Sequence, residues 1–284
     1  RMSIRRTLMK GATGSLKKVI ELFGGKRSAL IAARFAEDLV PIVTQTTRWG
    51  KIDYFCAGEV PEMRARTMLT KEPGTIEWID TFDTEDVFWD VGANVGVYSL
   101  YAALRNIRCL SFEPSPGNFY LLSRNVEINR MDNRISALCV AFNDATRLDS
   151  FYMASTELGG ALNSFAESVD WRGQPFTASF KQAMIGFSID EFVHKFSPPF
   201  PNHIKIDVDG IEGKIIRGAK LTLADTRLKS ILVELDSGRD SYCREVVRDI
   251  EEAGMKLVKK DRAAAVEDSS YSACCNHVFY RTRE

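Results

Sequence analysis

Apolar positions recur along this chain with two different periods, and the change between them falls near residue 80. Before that point, residues 15–23 carry apolar side chains at the i, i+3, i+4, i+7 spacing of an amphipathic helix. A second helical pattern runs from Ser28 to about Val40 and stops at Pro41. A short β-like stretch follows at residues 52–55, so we predict a helical and mixed extension over residues 1–80.

From residue 86 onward, short apolar runs alternate with helical segments. The strand-like runs are Val87–Val91, Cys109–Phe112, Ile135–Ala141, Ile204–Val208, Ile231–Leu235, Met255–Val258 and His277–Tyr280. The helical segments between several of them are Val95–Leu104, Pro116–Asn129, Ile211–Ala219 and Ser241–Ala253. Strands that are apolar throughout are covered on both faces. The pattern therefore predicts a Rossmann-like, doubly wound α/β domain over residues 81–284, with a mostly parallel seven-stranded sheet.

Residues 149–190 interrupt this alternation with Gly159-Gly160, Gly173 and Pro175. We interpret the segment as an inserted loop and hairpin beside the active site. Loops at the carboxyl ends of strands commonly determine substrate choice.

Charge adds one local feature to this picture. The chain is balanced at 38 basic and 38 acidic residues, so nothing global indicates a nucleic-acid partner. Residues 1–30 nevertheless hold eight basic residues and a single acidic one. A solvated leader, a substrate lid and a basic face against a membrane surface all remain open for this segment. No secretory leader or run of 18 apolar residues is present, so we expect a cytoplasmic protein, either free or peripheral at the inner face of the membrane. A homodimer remains open.

The first strand of the domain leads into a glycine-rich turn and then a helix. Gly92 permits positive φ or a close approach to bare backbone, and Gly96 lets the helix press against the strand. The turn is expected to leave N–H groups free for an anionic group such as a carboxylate. Its spacing is G-x-x-x-G, so the dinucleotide fingerprint G-x-G-x-x-G is not met. Asp90 would repel a pyrophosphate but suits an ammonium.

Acidic residues follow the next two strands as well. Glu113 lies 23 residues after Asp90, close to the separation expected of an acid that binds ribose hydroxyls. Asp144 follows the third strand, where it either accepts an adenine amino group or forms an Asx turn.

A cluster of three acids, Asp207, Asp209 and Glu212, lies where the fourth strand ends. We assign Asp207 to the boundary between cofactor and acceptor, with Asp209 or Glu212 as the base that removes an acceptor proton. The alternative is structural: Glu212 caps the helix and Asp209 pairs with Lys214 or Arg217. Carboxylate clusters also bind Mg²⁺, but we expect no metal.

These segments resemble the FkbM-type methyltransferases. The resemblance is carried by residues 90–100, by Phe112-Glu113-Pro114 with Asn118-Phe119, and by the segment from His203 to Glu212 followed by Gly218-Ala219. It covers about residues 60–281 and implies S-adenosylmethionine as donor, usually with O-methylation. The acceptors it implies are sugar hydroxyls of glycans, lipid-linked glycans among them, and hydroxyls of secondary metabolites or other small molecules. The cofactor-binding residues it implies are Asp90, Gly92, Ala93, Asn94, Gly96, Glu113, Pro114 and Asn118.

Two other classes of function compete with this one. A nicotinamide-dependent oxidoreductase is disfavoured by the missing third-glycine spacing. A non-catalytic α/β binding module is disfavoured by the presence of Asp90, Glu113 and Asp207.

Overall fold

The computed structural model describes residues 2–262 and 274–282, with side chains from residue 8 onward. Contacts divide the chain into two units, residues 1–41 and residues 42–284. The division therefore lies at Pro41, and not at the predicted boundary of residue 80. The physical reason is that residues 42–80 bury apolar side chains in the same core as the strands that follow them.

The first unit is a pair of helices. These are α1 at Met2–Gly24 and α2 at Ser28–Asp38, joined by a 3₁₀ turn at Gly25–Arg27. Helix α1 begins well before the predicted segment 15–23, whereas α2 agrees with its prediction. Among the described residues, none of the helices has both the length and the apolar composition that crossing a membrane requires.

The second unit begins with a hairpin and two helices and continues as an alternation of strands and helices. Its first elements are β1 (Ile42–Thr47), β2 (Gly50–Phe55), α3 (Glu59–Thr67), α4 (Pro73–Ile79), β3 (Val87–Val91), α5 (Val97–Leu104), β4 (Arg108–Phe112), α6 (Pro116–Ile128) and β5 (Ile135–Leu138). The elements that follow are β6 (Ala141–Phe142), β7 (Arg147–Met153), β8 (Asn163–Phe165), β9 (Phe180–Phe187), α7 (Ile189–Phe196) and β10 (His203–Ile206). The last are α8 (Glu212–Arg217), α9 (Lys220–Ala224), β11 (Ser230–Asp236), α10 (Asp240–Glu252), β12 (Met255–Arg262) and β13 (Cys274–Arg281).

Seven strands form the main sheet, in the order β12-β13-β11-β10-β3-β4-β5. Strand β13 is antiparallel to both of its neighbours, and the other pairings are parallel. This confirms the predicted mostly parallel, seven-stranded α/β sheet. The chain builds outward from β3 through β4 to β5 and then returns to β10 on the other side of β3. Strand order therefore reverses between β3 and β10, and open α/β sheets bind ligands outside the strand carboxyl ends at such a point.

Apolar side chains cover both faces of the main sheet. One face packs against α5, α6 and residues 52–82, with Tyr54 and Trp78 deeply buried there. The other face packs against α7, α8, α9 and α10 around Trp89 and Phe192. Burial on both faces explains why the strands are apolar throughout.

Two asparagines, Asn125 within α6 and Asn129 directly after it, tie the β1–β2 hairpin to this core. The side-chain oxygen of Asn125 accepts the N–H of Phe55 at 2.7 Å, and its amide donates to the carbonyl of Val95 at 2.8 Å. Asn129 makes a matching pair of bonds with the backbone of Asp53, at 2.9 and 2.6 Å. The hairpin is thereby fixed to the turn that follows β3.

The predicted insertion at residues 149–190 is more ordered than a loop and hairpin. Strands β7 and β9 pair antiparallel as the expected hairpin, but β8 also pairs with β7, and β6 pairs with β9. The result is a second, four-stranded sheet with its own small core around Phe151, Phe165 and Met184. Strand β6 is the end of the predicted strand Ile135–Ala141, which leaves the main sheet after Leu138 and enters the second one.

Candidate active site

A cavity of about 350 Å³ lies at the carboxyl ends of β4, β3 and β10, where the strand order reverses. This volume lies within the range of small-molecule sites, about 300–1,000 Å³. The lining residues from the main sheet and its loops are Val91, Gly92, Asn94, Phe112, Glu113, Pro114, Asn118, Asp207, Val208, Asp209, Ile211, Glu234 and Cys274. The cavity thus brings together most of the residues that the sequence singled out.

The glycine-rich turn forms part of the cavity wall. Gly92 has φ 85° and lies so close to the backbone of Asp207 that a side chain there would collide with the Asp207 carbonyl oxygen. Gly96 has φ 86°, and a β-carbon there would lie 2.5 Å from Leu122 of α6. Packing against the Asp207 backbone therefore requires glycine at residue 92, which the sequence interpretation left open, whereas positive φ is what favours glycine at residue 96.

The N–H groups of the turn are largely occupied, contrary to expectation. Those of Gly92 and Ala93 donate to the carbonyl of Phe112, and that of Gly96 donates to Ala93. The N–H of Asn94 donates to the Glu113 carboxylate at 2.8 Å. A ligand carboxylate would need another partner.

Asp90 lies beneath the cavity and does not line it. One carboxylate oxygen accepts the hydroxyl of Ser99 at 2.6 Å, and the other has no partner among the described residues. Burial raises the pKa of Asp90, although the nearby Lys205 cation opposes that shift. Asp90 therefore ties β3 to α5 through Ser99.

Glu113 occupies the centre of the cavity wall. Its carboxylate accepts the N–H groups of Asn94 and Ser115, each at 2.8 Å, which fixes the orientation of both oxygens. A carboxylate has about four acceptor sites, so each oxygen keeps capacity for a ligand hydroxyl. Burial raises the pKa of Glu113 to about 7, against those two bonds.

Asn94 and Asn118 connect the main sheet to the second one. Their amide groups both donate to the carbonyl of Gly160, at 2.9 and 3.0 Å, and Asn118 also accepts the N–H of Gly159 at 2.8 Å. The side-chain oxygen of Asn94 is buried with no partner among the described residues. Pro114 lines the cavity beside them, whereas Ala93 is buried in the core.

Asp207 is held as an anion by a buried cation. Lys205 is 1% exposed and donates to the Asp207 carboxylate at 2.7 Å. Burial alone would raise the pKa of Asp207, but Lys205 and Lys71 lower it to about 2. Asp207 therefore remains charged at any physiological pH.

Asp209 lines the cavity in a left-handed backbone conformation, with φ 61°. One of its oxygens accepts the N–H of Leu162, in the loop between β7 and β8, at 2.6 Å. Burial and the Asp207 anion raise the pKa of Asp209 to about 6. The structural alternative for this residue is wrong, because Lys214 pairs with Glu167 and Arg217 with Glu245.

Glu212 lies outside the cavity lining, contrary to its place among the candidate bases. It is the first residue of α8, and its carboxylate accepts the N–H of Gly210 at 2.8 Å and the Tyr242 hydroxyl at 3.1 Å. Both oxygens are thus occupied in holding the loop before α8, which is the capping role of the alternative.

Asp144 also lies apart from the cavity. It pairs with Arg147 at 3.0 Å, and its N–H is bonded to Asn143. The adenine role expected of it has no support in this geometry. The cavity wall near β5 is instead apolar, formed by Phe112, Val140, Phe142, Phe151 and Phe165.

Three charged residues of the cavity were given no site role from the sequence. Arg64 and Lys71 come from the segment around α3, which the sequence assigned to the extension. Glu234 lies on β11, where a single acid within an apolar strand was an available signal. Among the described residues, no group of three acidic, cysteine or histidine side chains is arranged to hold a metal ion.

The fold and the site together define a doubly wound α/β protein with a small-molecule cavity at its reversal point. A sequence model of the methyltransferase FkbM domain matches residues 90–257, which is more than half of the chain. The chain therefore belongs to the FkbM methyltransferase family, which confirms the resemblance found in the sequence.

Two relatives are similar over shorter segments. Hexuronic acid methyltransferase AglP of Haloferax volcanii is 25% identical over 162 residues, which are 57% of this chain and 61% of that protein. The 31-O-demethyl-FK506 methyltransferase FkbM of Streptomyces tacrolimicus is 34% identical over 77 residues, 26% of this chain and 30% of that protein. The matched segments span less than two thirds of either relative.

Among solved structures, precorrin-6y C5,15-methyltransferase from Geobacter metallireducens superimposes with a TM-score of 0.43 and 14% identity. The match covers 74% of this chain and 87% of that one. Strand order, and not this superposition, carries the assignment of fold.

We predict that Gly92→Ala destabilises the protein by about 2 kcal/mol or more, because strain at positive φ adds to the collision with the Asp207 carbonyl. Gly117→Ala is the matched control, since a β-carbon there meets only the tip of the Leu158 side chain. Chemical denaturation of both variants measures the difference. Equal stability of Gly92→Ala and the parent chain would contradict the proposed contact.

Proposed function

We propose that this protein transfers a methyl group from S-adenosylmethionine to a hydroxyl oxygen of a sugar or secondary metabolite. The observation that carries the proposal is the position of Glu113, oriented by two backbone N–H groups inside a cavity at the reversal point. Membership of the FkbM methyltransferase family supports the reaction class. The names of the two relatives, one for a hexuronic acid and one for a 31-O position, support the acceptor class.

The cavity residues match the parts of S-adenosylmethionine in the order of the strands across the main sheet. The apolar wall near β5 suits the adenine ring, and the neighbouring Glu113 after β4 suits the two ribose hydroxyls. The buried side-chain oxygen of Asn94, which has no partner within residues 2–262 and 274–282, lies in the same wall and is available to a ligand donor. When bound, S-adenosylmethionine supplies an electrophilic methyl group on its sulfonium.

Asp209 is the base that this geometry favours. It lines the cavity with one oxygen held by Leu162, and its pKa of about 6 suits proton removal near neutrality. Asp209 would accept the proton of an acceptor hydroxyl as the O–CH3 bond forms and the S–CH3 bond breaks, with S-adenosylhomocysteine as the leaving product. Glu212 is set aside because both of its oxygens are occupied outside the cavity.

Positioning contributes more to this reaction than the base does. Alignment of two reactants can supply roughly 7–11 kcal/mol, whereas a positioned base contributes roughly 10²–10⁴-fold, or about 3–5 kcal/mol. The bonds from Asn94 and Asn118 to the second sheet, and from Leu162 to Asp209, hold the walls that would align the acceptor.

Calorimetry with S-adenosylhomocysteine and with NAD tests the donor. We expect the parent chain to bind S-adenosylhomocysteine and not NAD. We expect Glu113→Gln to weaken that binding by about 1.5–3 kcal/mol, as for hydrogen bonds to a charged group. Asp144→Asn, on the exposed pair outside the cavity, is the control and should bind normally. Binding of NAD alone would overturn the proposal.

The pH dependence of turnover tests the base. Asp209 must be deprotonated to act, so kcat should rise with pH through about 6 and then level off. Asp209→Asn should lower kcat by roughly 10²–10⁴-fold and remove that rising limb, with little change in S-adenosylhomocysteine affinity. Full activity of Asp209→Asn with the limb intact would place the base elsewhere.

We also propose that helix α1 lies on an anionic membrane surface. At about 100° per residue, its apolar side chains fall on one half of the helix and its lysines on the other. The apolar set is exposed: Leu8, Met9, Leu16, Val19, Leu22 and Phe23 are between 45% and 81% accessible. The opposite half carries Lys10, Lys17 and Lys18; the side chains of Arg1, Arg5 and Arg6 lie outside the described residues. Amphipathic helices of this kind bind anionic interfaces, which would bring the enzyme to lipid-linked glycan acceptors.

Cosedimentation with vesicles tests this placement. The full chain should pellet with phosphatidylglycerol-containing vesicles and much less with pure phosphatidylcholine, because the lysines interact with anionic headgroups. The double variant Leu22→Glu with Phe23→Glu should lose the binding. Leu221→Glu, which alters an equally exposed apolar residue on α9, should retain it. Concentration-dependent self-association without vesicle binding would show instead that a second copy covers this helix.

A further inference from the structure

One end of the cavity is polar, and the proposed mechanism has not used it. This polar end is formed by Lys71, Asp207 and Glu234. Its charges are buried or half-buried and are surrounded by Lys205 and Glu72, which are 1% and 3% exposed. Buried charges are costly unless they are paired, so such a cluster requires partners of both signs.

The polar end lies on the opposite side of Glu113 from the apolar wall. Main-sheet order runs β5, β4, β3, β10, β11, and the lining residues follow it as Val140, Glu113, Gly92, Asp207 and Glu234. Neighbouring strands are about 4.8 Å apart, so the polar end begins roughly 10 Å from Glu113 along the cavity. A donor with its adenine at the apolar wall and its ribose at Glu113 extends its amino-acid end into this region.

The carboxylate in the donor's amino-acid part needs a cation at the polar end, because the glycine-rich turn offers few N–H groups. Gly92, Ala93 and Asn94 all donate within the protein. Lys71 is the cation at the polar end: its ammonium donates to Glu72 at 3.0 Å and has two further N–H groups. Arg64 also lines the cavity, but its Nε is bonded to the Gly159 carbonyl at 2.6 Å.

The ammonium in the donor's amino-acid part needs hydrogen-bond acceptors, and Asp207 and Glu234 provide them. One oxygen of Asp207 accepts a hydrogen bond from Lys205. Asp207 directly follows β10 and Glu234 lies on the neighbouring strand β11, so both line the same end of the cavity. Two neighbouring carboxylates repel each other unless one is protonated or a cation lies between them. A ligand ammonium is such a cation.

We propose that the polar end binds the amino-acid part of S-adenosylmethionine, with Lys71 pairing with its carboxylate and the Asp207–Glu234 pair binding its ammonium. This assignment rests on the proposed function. It places one binding residue, Lys71, before the start of the family match at residue 90.

The test compares two ligands by calorimetry: S-adenosylhomocysteine, which has the amino-acid part, and 5′-methylthioadenosine, which lacks it. Lys71→Gln should weaken S-adenosylhomocysteine binding by about tenfold or more and leave 5′-methylthioadenosine within about twofold. Glu234→Gln should show the same selective loss. Lys71→Arg should retain most of the S-adenosylhomocysteine affinity, since the charge is preserved. Lys259→Gln, on a surface ion pair with Glu77, is the control and should bind both ligands normally.

Three outcomes distinguish failure of this assignment from failure of the proposed function. If the parent chain binds both ligands and Lys71→Gln loses affinity for both equally, Lys71 supports the cavity as a whole and the assignment is wrong. Normal binding of S-adenosylhomocysteine by both Lys71→Gln and Glu234→Gln also overturns it, with the proposed function intact. If the parent chain binds neither ligand, the proposed function fails and this inference fails with it.

Discussion

The site depends on the close approach of Gly92 to the backbone carbonyl of Asp207. Strands β3 and β10 are parallel neighbours whose chains leave the sheet on opposite sides, so a crevice opens between their ends. Any side chain at residue 92 would hold the two ends apart. With glycine there, the turn after β3 and the acids after β10 form one continuous wall, and Glu113 closes it from β4 through its bond with Asn94.

Three carboxyl groups on that wall differ because their surroundings differ. Asp207 touches the buried Lys205 and stays charged. Glu113 and Asp209 are bonded chiefly to backbone N–H groups, which compensate less for burial than a cation does, so their pKa values rise. The three carboxyl groups thereby comprise one permanent anion and two groups that titrate near neutrality.

Sequence patterns predicted the main sheet and much of its reversal-point wall, because apolar strands, positive-φ glycines and acids at strand ends are local signals. The family resemblance, which the family model confirms, was found from the same local signals. Arg64 and Lys71 could not be found in this way, since nothing in a short polar segment indicates which distant strands it covers. Asp144 was misplaced because the chain leaves the main sheet after Leu138 and β6 joins a different sheet.

The segment before β3 shows the same limit of local sequence patterns. Residues 42–80 have mixed local patterns, so the sequence grouped them with the helices before them. Their long-range contacts instead include bonds from Asn125 and Asn129 to β2, about 70 positions earlier in the chain. Local periodicity carries no information about such partners.

The second sheet is joined to the cavity wall by apolar packing as well as by hydrogen bonds. Phe142 of β6 packs against Phe112 of β4, and Ile211 belongs to the small core of the second sheet. Residues 159–162 of the loop between β7 and β8 make the polar contacts. Hydrogen bonds of this kind contribute roughly 1 kcal/mol each once exchange with water is counted. The apolar contacts add to these bonds, so this side of the cavity is fixed to the main sheet and would not lift away as a unit. Exchange of spent donor for fresh donor would then take place without separation of the two sheets.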